Sequence, residues 1–251
     1  MRNTVKQKLA EGKQVVGGTI QTPDPDIYRS MANAGFDFLW IEMQHSPLTY
    51  QDVARMIWAG RDAPALPFIR VPDATEGDGQ TATDIGALGV IVPMVNSVSK
   101  VEDAVRYASY PPRGARSLGA GQCHALYGGD YRQTANDDIL VCGMVESPQG
   151  VEIAAEMAAV DAVDVVFVAA TDLGSFSGLK QGDEEYEAMA AKVRDETLGA
   201  GKHVGGPFAW KDREGYSFFQ APPAEYLVSR AARALLAEIQ TGVAQTEGTE
   251  K

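Results

Sequence analysis

Apolar, β-branched runs alternate with helical segments from one end of the 251-residue chain to the other. The strand-like runs are Val15–Ile20, Phe36–Glu42, Pro67–Val71, Gly89–Val95, Leu140–Glu146 and Val163–Ala169, followed by the weaker Val204–Ala209 and Tyr216–Gln220. Several are continuously apolar rather than alternating, as expected of parallel strands covered on both faces. Helix signals lie between them. Asp24 followed by Pro25 reads as an N-cap with proline in the first turn. Thr49 with Asp52 reads as a capping box ahead of Val53, Met56 and Ile57. Val98–Tyr107, Pro148–Val160 and Glu184–Leu198 are further helical stretches, and Val228, Ala231, Leu235 and Ile239 set an apolar stripe along a last helix.

Eight strands alternating with helices, without a domain-sized linker, predict a single (β/α)8 TIM barrel of the α/β class over residues 1–245. A doubly wound open sheet is the competing arrangement. It would usually carry a glycine fingerprint after its first strand, where this chain has GGTIQTPDP. Only Trp210–Gly215 separates the last two strands, room for about a turn and a half of helix, so that corner is expected to be abbreviated. Thr246–Lys251 reads as a disordered tail.

Charge and cysteines narrow the partners. The net charge of −12, from 22 basic and 34 acidic side chains, argues against nucleic acid or an anionic membrane and leaves a small anionic substrate open. Cys123 and Cys142 form no CxxC or zinc-ligand spacing, and Cys142 sits in an apolar run, which suits a buried thiol in a reducing compartment. The first residues carry no apolar signal core, and the longest apolar stretch, Ala87–Val95, falls well short of the about 20 residues that cross a bilayer. A cytoplasmic protein is the expectation.

In such a barrel the active site lies at the C-terminal ends of the strands. Polar residues cluster there: Glu42, Gln44 and His45 after the second strand, Arg70 on the third, Asn96 after the fourth, Glu146 on the fifth, and Thr171 and Asp172 after the sixth. Glu146 and Asp172 end consecutive strands, roughly 4.8 Å apart in a sheet, and carboxylates that close repel unless a cation or a shared proton relieves them. Hard oxygen ligands suit Mg²⁺ or Mn²⁺; the alternative is that Asp172 caps the next helix. Arg70 interrupts the apolar PFIRV and must meet an anion, either a substrate or a structural ion-pair partner. His45 is a candidate for proton transfer, with Asp84 able to orient it, and a structural histidine is the alternative. His203 precedes a strand and belongs to the opposite, stability end. The glycine-rich Arg113–Tyr131, with His124, reads as a long loop above the barrel, where long ordered loops are usually functional, with a flexible surface loop as the alternative. None of the nine lysines falls within a strand or directly at its end, so Schiff-base chemistry is disfavoured against metal-assisted enolisation.

The chain resembles the HpcH/HpaI family of class II, metal-dependent pyruvate aldolases. The likeness is carried by AGFDFLWIEMQHSP (Ala34–Pro47), PFIRVP (Pro67–Pro72), GVIVPMV (Gly89–Val95), YPPRGARSLG (Tyr110–Gly119), VESPQG (Val145–Gly150) and VFVAATDL (Val166–Leu173). The resemblance implies a phosphoenolpyruvate/pyruvate-type barrel that reversibly cleaves a 4-hydroxy-2-oxo acid to pyruvate and an aldehyde. It implies Glu146 and Asp172 as ligands of Mg²⁺ or Mn²⁺, with Co²⁺ a further option. His45 paired with Asp84 would transfer protons, Arg70 would contact the keto oxygen, and Gln44 and the N–H groups around Thr171 and Asp172 would meet the substrate. It also implies a homo-oligomer, commonly a hexamer built as a trimer of dimers, with the last helix exchanged between neighbours. Related enolate chemistry (oxaloacetate decarboxylation or a carbon–carbon bond-forming synthase) and a weakly catalytic oxo-acid-binding barrel are the alternatives. The chain departs from the family pattern at Glu42, usually Asp, at Gln44, often Glu, at Met144, a glutamine in some members, and at Ala169-Ala170, commonly Gly-Pro.

Overall fold

The computed structural model describes residues 2–119 and 121–247, with side chains described as far as 238. The strands are β1 (Val15–Ile20), β2 (Phe38–Glu42), β3 (Leu66–Arg70), β4 (Gly89–Val92), β5 (Leu140–Val145), β6 (Val163–Val168), β7 (His203–Pro207) and β8 (Tyr216–Pro223). All are parallel, each bonded to the next, and β8 returns to β1 to close a barrel. The helices are α1 (Thr4–Ala10), α2 (Pro25–Ala32), α3 (Tyr50–Ala59), α4 (Glu76–Asp84), α5 (Val98–Ala108), α6 (Gln122–Tyr127), α7 (Tyr131–Asp138), α8 (Pro148–Glu152), α9 (Ala154–Ala159), α10 (Ala170–Ser177), α11 (Glu184–Gly199) and α12 (Ala224–Glu247). The predicted barrel is therefore present, and each predicted strand lies on an observed one. Among the described residues no helix is long and apolar enough to cross a membrane.

Local chemistry explains several helix starts. Asp24 accepts from the Asp26 and Ile27 N–H groups ahead of Pro25. The Thr49–Asp52 capping box forms in both directions. The single helix expected over Pro148–Val160 is instead two, broken at Ile153, whose φ of −102° and ψ of 10° fall outside the helical well. The corner between β7 and β8 is abbreviated, as expected, to the 3₁₀ turn Phe208–Trp210. Trp210 fills that gap edge-on to Tyr186 and Tyr216, at 6.5 and 5.4 Å between centroids.

Strand parity sorts the core into two layers. Phe38, Trp40, Phe68, Cys142, Met144, Val165, Phe167 and Phe218 pack inside the barrel, joined by Val5 and Leu9 of α1, which plugs its N-terminal end. Their neighbours Leu39, Ile41, Ile69, Val141, Val145, Val166 and Val168 face outward beneath the helices. Phe38 stacks on Phe68 and on Phe218, each at 4.6 Å. Gly17 and Gly89 make room for this stack: a Cβ at either would stand 2.1 Å from Phe38 or 2.3 Å from Phe68.

Two expectations fail for one reason: a barrel helix runs back down the strand before it. Arg113–Tyr131 follows α5, so it lies toward the N-terminal end of the barrel rather than above the C-terminal mouth, and it contains α6. Arg113 there donates to the Asn136 carbonyl and to Asp137. Asp84 likewise closes α4 at its lower end, where it pairs with Arg116 at 2.6 Å. Within one chain Asp84 is thus about a helix length (about 13 Å for nine residues) below the strand ends that carry His45. The tail expectation at Thr246–Lys251 lies outside the described residues from 248 onward, while Thr246 and Glu247 end α12. In the predicted apolar stripe of α12, Val228 and Leu235 are exposed, as are Tyr226 and Leu236; the Ile239 side chain is outside the described set.

Candidate active site

The inward columns of the barrel end in charge. Glu42 continues the column Phe38–Trp40, Arg70 follows Phe68, and Glu146 follows Cys142–Met144. Glu42 and Arg70 are direct partners in the β2–β3 register. All three are buried. Arg70 bridges the two acids, with Nη1 donating to Glu42 Oε2 at 3.2 Å and Nη2 to Glu146 Oε1 at 2.9 Å. Buried charge of this kind persists only when it is paired and hydrogen-bonded.

Glu42 is saturated. Its Oε1 accepts the backbone N–H groups of Gln44 and His45 at 2.9 and 3.0 Å, and its Oε2 accepts the Trp40 indole at 3.2 Å as well as Arg70. The carboxylate therefore folds the turn after β2 and fixes Arg70, with no lone pair left to ligate a metal. The sequence placed Glu42 among the polar strand ends and as a departure from the family pattern, without a role; its parity with Phe38 and Trp40 is the signal that it points into the site. His45 stands exposed on the turn that Glu42 holds.

Glu146 follows β5 and Asp172 opens the helix after β6, and the two strands are paired up to Val145 opposite Val168. Burial above all pushes the Glu146 carboxyl upward, and the charge of Asp172 adds to it. Arg70, the Met94 N–H and His45 pull the other way. Two carboxylates in that state, one desolvated, form a hard-oxygen pair that a divalent cation would relieve. Among the described residues no group of three or more His, Cys, Asp or Glu side chains is arranged for a metal, so the pair would leave the remaining positions to water and substrate, the habit of Mg²⁺ and Mn²⁺. Arg70 Nε and Gln44 Oε1 are buried here without a hydrogen-bond partner among the described residues.

Asp172 rides on the first turn of α10 rather than capping it. That helix starts without any side-chain cap, so no cap side chain takes its leading N–H groups, around Ala170, Thr171 and Asp172. Ala169 has φ −79° and ψ 86°, a conformation that needs no glycine, and the Ala170 carbonyl is held by the Tyr186 hydroxyl at 2.8 Å. The site thus gathers Glu42, Gln44, His45, Arg70, Glu146, Thr171 and Asp172, and leaves Asp84 and His124 outside it. His203 begins β7 at the other end of the barrel, as its sequence position implied.

Comparison with known proteins shows the family. The family model described as HpcH/HpaI aldolase/citrate lyase matches residues 20–210. The chain belongs to that family. A hydroxypyruvate/pyruvate aldolase of Rhizorhabdus wittichii is 32% identical over 94% of this chain and 98% of its own length. An HpcH/HpaI aldolase/citrate lyase family protein of Burkholderia cenocepacia superposes with a TM-score of 0.87 at 28% identity, covering 95% of this chain and 99% of the other. A crystal structure of a citrate synthase superposes with a TM-score of 0.80 at 26% identity, covering 94% and 98%. The family match spans β2 to β7, so all the residues gathered at the barrel mouth lie within it.

Proposed function

We propose that this barrel is a divalent-metal-dependent aldolase that reversibly cleaves a 4-hydroxy-2-oxo acid to pyruvate and an aldehyde. The observation that carries the reading is Arg70 clamped between two buried acids, one of which, Glu146, also feels the charge of Asp172. Glu146 and Asp172 would hold the cation, Mg²⁺ or Mn²⁺ with Co²⁺ as a third option. When bound, it supplies Lewis-acid polarisation of the substrate carbonyl.

The chain's own groups then divide the work. The uncapped start of α10, around Thr171 and Asp172, binds the substrate carboxylate. Arg70 offers its unpaired Nε to the keto oxygen, where negative charge develops, and Gln44 offers its unpaired amide oxygen to a substrate hydroxyl. His45 moves the proton. In cleavage the 4-hydroxyl gives up its proton, the C3–C4 bond breaks, and its electron pair passes to the keto oxygen as the pyruvate enolate. The aldehyde departs and C3 takes a proton; addition is the reverse.

The assembly belongs to the same reading. The exposed Tyr226, Val228, Leu235 and Leu236 of α12 suit exchange of that helix within a homo-oligomer, a hexamer built as a trimer of dimers. Only across such a contact would Asp84 of one chain meet His45 of another. A reducing compartment, the cytoplasm, suits the two buried free thiols.

Exchange of pyruvate methyl protons into D₂O, followed with Mg²⁺, Mn²⁺ and Co²⁺, tests the reading. Exchange is expected in the wild type and its loss in Glu146→Ala; undiminished exchange in that variant would overturn the site. The likeness to a citrate synthase favours a second use of the same enolate, condensation with a ketone-bearing acid. Screening pyruvate against aldehydes and against 2-oxo acids separates the two.

A further inference from the structure

Strand β2 sends Trp40 and, two residues on, Glu42 to the same inner face of the barrel. Trp40 is fully buried. Its ring packs at 5.1 Å against Phe167 of β6, tilted by 57°, and its backbone pairs in register with Thr19 of β1 and Phe68 of β3. The indole therefore has a fixed place. Its one polar atom, Nε1, donates to Glu42 Oε2 at 3.2 Å. A buried indole N–H needs an acceptor, and that alone would account for the bond. The acceptor it uses, however, is the one that also receives Arg70.

A carboxylate offers about four lone-pair sites over its two oxygens. On Glu42, Oε1 is taken by the Gln44 and His45 N–H groups at 2.9 and 3.0 Å. Oε2 is divided between the indole and Arg70 Nη1, each at 3.2 Å. A guanidinium favours closing its fork on one carboxylate through two parallel N–H bonds. Glu42 does not permit that, because the indole leaves Oε2 a single site. Arg70 instead gives its other terminal nitrogen, Nη2, to Glu146 Oε1 at 2.9 Å. The guanidinium is thereby spread between two acids, and its Nε has no partner among the described residues. Without the indole N–H, Oε2 would regain a site with Arg70 as the one donor already on it, and the guanidinium would turn toward Glu42.

We infer that Trp40 is a positioning residue: its indole N–H, by filling half of Glu42 Oε2, holds Arg70 in the pose that bridges Glu42 and Glu146 and keeps Nε free for substrate. The inference rests on the reading that Arg70 meets the keto oxygen. Trp40 then acts through the Glu42 carboxylate and not through the bulk of its ring, and the two contributions can be separated.

The experiment follows pyruvate methyl exchange with Mn²⁺ in the wild type, Trp40→Phe, Glu42→Gln and the double variant, with circular dichroism confirming each fold. Trp40→Phe is expected to lower kcat about tenfold with KM within about threefold of wild type. On top of Glu42→Gln the same substitution is expected to cost less than about threefold, because the carboxylate it acts through is already gone. Wild-type kcat in Trp40→Phe overturns the inference. So does a full second loss of about tenfold in the double variant, the mark of ring packing alone. If Trp40→Phe does not fold, benzothienylalanine at position 40 decides, since it keeps the shape of the indole and lacks the N–H; wild-type kcat with that side chain overturns the inference, and a loss like that expected of Trp40→Phe supports it. A wild type without exchange overturns the aldolase reading instead. The crystal structure of the position-40 variant then decides: an Arg70 that still bridges Glu42 and Glu146 overturns the inference, and one turned onto Glu42 alone supports it.

Discussion

Arg70 Nη2 and Glu146 Oε1 lie 2.9 Å apart, with side chains only 7% and 2% exposed. Removing one member of a buried pair strands the other, at a cost of about 3–5 kcal/mol. Arg70→Met strands two acids, because Glu42 loses the same partner. Chemical denaturation is expected to show a loss of about 3 kcal/mol or more. Pyruvate methyl exchange should fall by about 10²–10³, the effect of deleting one donor to a developing oxyanion. Arg70→Lys restores charge without the two-pronged geometry, so it should recover stability before it recovers rate. Wild-type exchange in Arg70→Met would remove Arg70 from the chemistry.

Glu42 offers a finer test, because all of its acceptor capacity is used. In Glu42→Gln one oxygen becomes an NH₂ group and must face donors whichever way the amide turns, either the Gln44 and His45 N–H groups or Trp40 and Arg70. The turn that carries His45 should loosen. We expect kcat to fall about tenfold with a smaller change in KM, the signature of an interaction that matters most in the transition state. Glu42→Asp keeps the charge but is one methylene too short to serve both sets of donors, and should fall between. A pure KM effect would contradict this positioning role.

These two tests depend on features of unequal visibility in the sequence. The eight strands are legible because parallel barrel strands are apolar on both faces, and Arg70 and Glu146 stand out as charges against that background. Helix α4 is not: its sequence EGDGQTATD is polar with two glycines, and its start rests on one threonine cap, Thr75 to the Asp78 N–H. Asp84 shows the other limit. A motif can flag the residue, but only the antiparallel run of α4 decides which end of the barrel it occupies. The saturation of Glu42 depends on a turn folding back onto its own strand, which hydrophobic periodicity does not encode.

Asp84 now has a structural assignment that can be measured. Its partner Arg116 is fully buried, with its guanidinium 4.4 Å from the Tyr110 ring centre and 5.4 Å from that of Tyr131. Asp84→Ala leaves that guanidinium without its counter-charge, a loss of about 3 kcal/mol. In a domain of this size each kcal/mol moves Tm by about 2–4 °C, so calorimetry should show a drop of about 6–12 °C. An unchanged Tm would contradict the assignment. A shifted pH profile of exchange in the same variant, beyond the Tm loss, is the expected mark of Asp84 in one chain orienting His45 in another.

The far end of the barrel predicts a pH effect unconnected with catalysis. His203 begins β7 beside Asp164, which is itself paired with Lys6 of α1 at 3.0 Å. Burial lowers the His203 pKa, Lys202 lowers it further, and Asp164 opposes both. The unfolded chain therefore takes up a proton near pH 6.5 that the folded protein still refuses. The resulting stability is complete above about pH 6.5 and is lost as pH falls from there through the lower folded-state value. His203→Gln abolishes the titration. Denaturation of both proteins from about pH 7.5 to about pH 5.5 should show the wild type losing stability relative to the variant as acid is added. A difference that stays constant across the range, or grows in favour of the wild type at low pH, would show that His203 is protonated at least as readily in the folded barrel as in the unfolded chain.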